Sequence, residues 1–138
     1  MATIKSYTDL SQSKTLSKIL PIESADMCYI KHSSSYNPTW EFNEDFPPMI
    51  LGNVHINEMT VEVLPCWSLA ALLNVIPQEI FDGEYIINIT EGLNNRWMLT
   101  YDNYEIGNHS FYGLSTGADN LVDACVDIII KLKERNII

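Results

Sequence analysis

Apolar residues recur along this chain with two different periods, and those periods divide it into elements. Leu121, Val122, Cys125, Ile128, Ile129 and Leu132 fall on one stripe of an amphipathic helix. Asp119 or Thr116 can cap that helix. Asp119, Asp123 and Asp127 sit near its start and Lys131, Lys133 and Arg135 at its end, the order a helix dipole favours. Leu69, Leu72, Leu73 and Ile76 repeat at three- and four-residue steps, which predicts a second helix over 69–75. Pro65-Cys66-Trp67-Ser68 opens it and Pro77 ends it, and its nearly unbroken apolar content predicts burial on most sides. Thr8 or Ser6 can cap a first helix over 9–20, with Leu10, Leu16, Ile19 and Leu20 as its stripe and Pro21 as its stop.

Alternation marks the strands. Residues 85–90 and 96–101 flank Glu91-Gly92-Leu93-Asn94-Asn95, whose glycine and asparagines suit a hairpin turn. Further strands are expected over 26–31, 49–54 and 60–64, and a third partner for the hairpin over 104–106 or around Phe111. Residues 115–118 read as a flexible link. Residues 32–48 read as a long loop packed by Trp40, Phe42 and Phe46. This order predicts a single α+β domain with an antiparallel sheet of about four to five strands and three helices, the helices mainly on one face.

Composition adds a location and removes several functions. A chain of 138 residues, 46% hydrophobic, can bury a core unaided. Its three cysteines, Cys28, Cys66 and Cys125, form no C-x-x-C pair, so a reducing cytoplasm is expected rather than a disulfide framework or zinc knuckle. Neither a signal segment nor a membrane span is legible. Formal net charge is −10, and between Glu41 and Asp127 fourteen acidic residues stand against Arg96 as the single base. Such a surface repels phosphate backbones, which argues against nucleic acid as a partner; solubility alone accounts for the charge, and its functional reading is attraction of a basic protein surface.

Three pieces of chemistry remain. Cys66 followed by Trp67 at the head of an apolar helix resembles the nucleophile position of papain-like cysteine hydrolases, with His109 downstream as a base. The glycine-serine context and an upstream oxyanion-hole glutamine are missing, so burial beside Trp67 is the favoured reading of Cys66. Arg96 is the one base available to an anion in its region. With Trp97, and with Trp40 from the loop, it makes a candidate ligand-binding set; the alternative is an exposed arginine paired with Glu91 or Glu84. His32, His55 and His109 are isolated, and no metal or other cofactor is expected.

Residues 8–27, the run Pro65-Cys66-Trp67-Ser68-Leu69-Ala70-Ala71-Leu72-Leu73 and the run Asp119-Asn120-Leu121-Val122-Asp123-Ala124-Cys125 together resemble a group of short, uncharacterised proteins of gut bacteria and the phages that infect them. The resemblance covers about a third of the chain and offers no activity to transfer. It implies a phage or prophage origin. From that follows the expectation of a small, acidic, non-enzymatic binding protein, a host-takeover or counter-defence factor that binds a host protein or sequesters a small nucleotide. A homo-oligomer could build the basic pocket that a nucleotide needs. The rival readings are the cysteine hydrolase using Cys66 and His109, and a structural phage component.

Overall fold

The elements with the strongest periodicity form where the pattern places them. A computed structural model describes residues 5–32, 47–50, 60–103 and 109–138, with residues 32, 60–62, 95 and 109–113 described by their backbone alone. Among the described residues the fold is α+β, with helices α1 (Leu10–Ser17), α2 (Leu69–Val75) and α3 (Leu121–Glu134). The strands are β1 (Met27–His32), β2 (Met49–Ile50), β3 (Thr60–Cys66), β4 (Glu79–Ile80), β5 (Tyr85–Glu91), β6 (Trp97–Asn103) and β7 (His109–Ala118). They are divided between two antiparallel sheets, ordered β2-β1-β3 and β4-β5-β6-β7, where the pattern suggested one. No helix among the described residues is long and apolar enough to cross a membrane. The chain separates into two compact units, one of Tyr7–Ala71 and one of Leu72–Ile138 with the N-terminal Met1–Ser6. The boundary falls inside α2.

In the N-terminal unit α1 packs on β3. Asp9, not Thr8 or Ser6, caps α1: its carboxylate accepts from the Gln12 amide, and the Gln12 side chain accepts from the Asp9 amide. This reciprocal pair satisfies two amides that helix geometry leaves open. β3 runs on through Pro65 and Cys66, so the breaker expected before α2 is the end of a strand. Proline is tolerated there because β3 lies at the edge of its sheet. Ser68 then caps α2, its hydroxyl accepting from the Ala71 amide while the Asp26 carboxylate accepts from the Ser68 amide and hydroxyl. α2 is less enclosed than its composition suggested, since Ala70, Leu73 and Asn74 are exposed.

In the C-terminal unit α3 packs on β6 and β7. Its stripe residues Val122, Cys125, Ile128, Ile129 and Leu132 are buried, as their spacing requires, along with Ala124 and Val126. Asn120 supplies the cap, accepting from the Asp123 amide at 2.8 Å. Residues 115–118 are no link but the end of β7, paired with Trp97–Thr100. Short polar side chains hid that strand, yet Thr116 turns toward the helix and donates to Asp127 at 2.7 Å. The sheet therefore has a helix-side face holding buried Leu99, Tyr101, Leu114 and Thr116, and an outer face holding Ile86, Asn88, Thr90, Met98, Thr100 and Asp102.

Candidate functional site

Sequence order places a nucleophile at Cys66, and the local geometry disarms it. Cys66 is wholly buried at the end of β3. Its thiol donates to the Thr8 carbonyl and accepts from the Thr8 hydroxyl, each at 3.4 Å. The Thr8 hydroxyl also meets that of Ser13 at 2.8 Å and accepts from the Trp67 amide at 3.1 Å. Tyr29 donates to the Thr8 carbonyl at 2.8 Å, and the Thr8 amide donates to the Trp67 carbonyl at 2.9 Å. Thr8 is thus the hub of a polar knot closed over by Tyr7, Leu10, Tyr29 and Leu64.

Burial pushes the Cys66 thiol up, against the pull of its hydroxyl neighbours Thr8, Ser13 and Tyr29. Burial also raises Cys28, helped by Cys66 beside it, and pushes Cys125 up to about 12. A nucleophilic cysteine needs the reverse shift and a path to solvent. All three thiols are free and buried; Cys66 is held by hydrogen bonds, and Cys28 and Cys125 pack as small hydrophobes. His109 begins β7 in the C-terminal unit, opposite Asn103, whereas Cys66 belongs to the N-terminal unit.

The ligand-binding trio fares unevenly. Arg96 is exposed, but its guanidinium donates to the Gly117 carbonyl at 3.0 Å rather than pairing with Glu91 or Glu84. Trp97 follows it on the helix-side face, half-buried opposite Glu91. Tyr101, on the same face, is fully buried and donates to the Pro77 carbonyl at 2.6 Å. Trp40 lies outside the described residues. Arg96 and Trp97 are therefore neighbours in sequence on opposite errands.

The pattern did not single out Asp102. It is 7% exposed on the outer face and accepts from Asn88 at 3.2 Å and Thr100 at 3.1 Å. The i, i+2 spacing of Thr100 and Asp102, with Asn88 directly opposite Thr100, is the signal that a strand pairing would have shown. The register between β6 and β7 slips just there, so Thr100 faces Ser115 while Asp102 faces Ser110. No group of three potential metal-ligating side chains occurs among the described residues.

What stands out instead is apolar surface. The hairpin tip is a short 3-10 turn, Leu93–Asn95, in which Asn94 takes the left-handed backbone (φ 61°) and Leu93 is left 91% exposed. Ile86 and Met98 are exposed on the outer face, Ile89 along the edge, and Phe81 in the β4–β5 turn. That turn carries three successive positive φ angles, at Phe81 (54°), Asp82 (55°) and Gly83 (86°), a costly backbone for the phenylalanine. Glu91 is exposed next to the hairpin tip, and Glu79, Asp82 and Glu84 are exposed around the β4–β5 turn at the other end of β5. No family model, curated protein or solved structure matches the chain.

Proposed function

We propose that the chain is a non-enzymatic binding protein that docks through its β5–β6 hairpin onto a basic surface of another protein. The observation that carries this reading is Leu93, held 91% exposed at the tip of a paired hairpin, with exposed Ile89, Met98 and Glu91 on the flanking strands. Leaving a leucine in water costs about 1.5–3 kcal/mol relative to burying it, and a partner recovers that on contact. The carboxylates steer a basic partner toward the patch and speed its association. The buried, neutral thiols support the same conclusion by withdrawing the nucleophile that the hydrolase reading needs. In the phage or prophage setting implied by the sequence resemblance, the partner is a host protein and the role is takeover or counter-defence. Nucleotide sequestration has less support, because the Arg96 guanidinium is engaged with a backbone carbonyl.

Affinity capture from bacterial lysate tests the reading, comparing the native chain with the doubly charged variant Leu93→Asp/Met98→Glu. The native chain retains a protein that the variant loses at least tenfold, and that protein elutes as salt is raised. Equal capture by both chains would remove the hairpin from the interaction.

A further inference from the structure

We propose that the free edge of β5 receives an extended, basic segment of a partner protein, which joins the C-terminal sheet as an added strand; this deepens the docking reading above and rests on it. The direction of the backbone makes the case. The Ile87 amide donates to the Gln78 carbonyl at 2.9 Å, so the peptide groups of Ile87 face away from β6, toward β4. In an antiparallel ladder alternate residues share that direction, and the N–H and C=O groups of Ile89 and Glu91 therefore point outward as well. β4 reaches no further along this edge. Its pairing with β5 covers only Tyr85 and Ile86, and the chain before Gln78 is Pro77, which has no N–H to give. Among the described residues no strand pairs with the edge over Asn88–Glu91, and Ile89, Thr90 and Glu91 are exposed.

Exposed strand edges are ordinarily blunted by lysine, proline, a bulge or a covering loop. The stretch Asn88-Ile89-Thr90-Glu91 holds neither lysine nor proline, and its register with β6 is unbroken. It is a template for strand addition, in which main-chain hydrogen bonds supply affinity and alternate side chains supply selectivity. Charge selects the occupant. A second copy would bring another net −10 and the same Glu91 into the pairing, whereas a segment alternating apolar residues with lysine or arginine presents one kind to the face shared by Ile89 and Glu91 and the other to the face of Asn88 and Thr90, so its positive charge offsets that of Glu91 in either register.

Amide hydrogen exchange followed by NMR on the full chain tests this. The probe is a short synthetic peptide alternating valine and lysine. Its controls are a valine–glutamate peptide and a valine–lysine peptide N-methylated on the amides that would meet the edge. The Ile89 and Glu91 amides, fast in the free protein, slow by about tenfold or more with the first peptide and with neither control, while Asn88 and Thr90, already bonded to β6, change little. Ile89→Pro, whose fold is checked by thermal unfolding, weakens that peptide by about tenfold or more, and Glu91→Gln by only about two- to threefold. Binding without protection at Ile89 and Glu91, equal binding of the N-methylated peptide, or no peptide binding would each overturn strand addition. In any of these cases, loss of lysate capture by Leu93→Asp/Met98→Glu would still leave the docking reading standing.

Discussion

The knot around Thr8 and the hairpin around Leu93 reverse the usual placement of polarity. In the first, hydroxyls, a thiol and a phenol lie in the core; in the second, leucine, isoleucine and methionine lie in water. The knot is tolerable because its donors find acceptors: no buried side-chain nitrogen or oxygen among the described residues lacks a hydrogen-bond partner. The hairpin has no such internal compensation. Its apolar residues are only partly covered, from Ile89 at 38% exposed to Leu93 at 91%. The difference separates a region closed by its own hydrogen bonds from one that leaves apolar surface open.

The sharpest way to break that contrast is to remove the hub. Thr8→Val keeps the shape but strips the partner from the Trp67 amide and from the Ser13 hydroxyl, leaves Cys66 only its bond to the Thr8 carbonyl, and should cost about 2–4 kcal/mol in denaturant unfolding. A change below about 0.5 kcal/mol would show that the knot contributes no stability. Alkaline titration comes next. Because burial raises the folded-state values of Cys28, Cys66 and Cys125 above the ordinary value of 9.0, the folded chain holds protons that the unfolded chain releases. Stability from these groups is complete below that value and falls as pH rises through it, until about 12 for Cys125, by up to about 1.4 kcal/mol per pH unit per thiol. Buried Tyr29 and Tyr101, raised in the same sense, add to the loss above their ordinary value of 10.0. Calorimetry across alkaline pH checks this, and a flat profile would contradict it. The smallest effect is expected at the tip: Leu93→Ser should move unfolding by no more than about 0.5 kcal/mol while abolishing lysate capture.

How far the sequence discloses these two regions follows from the range of the interactions. α3 and the β5–β6 hairpin are legible because a helical stripe and a strand alternation are local patterns, and Gly92 to Asn95 announce a turn between the strands. Asn94 rather than Gly92 takes the left-handed backbone there, a choice made by the turn as a whole. The knot is illegible because Thr8 looks like a cap, and its role depends on Cys66 and Trp67, which only strand pairing brings alongside. Residues 115–118 resemble a link for a similar reason, since their strand character comes from facing Trp97–Thr100. The division into two sheets and the two-residue strand β4 carry no periodicity that a short window could register. Cys66 was readable as a core residue from its apolar setting, and Arg96 as exposed, but the Gly117 carbonyl that holds Arg96 was not.

Lys5 and Asp123, joined at 2.7 Å, fasten the start of the chain to the first turn of α3. The C-terminal unit is discontinuous: it owns a residue near the start of the chain and a helix near its end, with the whole N-terminal unit strung between them. A fragment beginning at Leu72 would lose this tether.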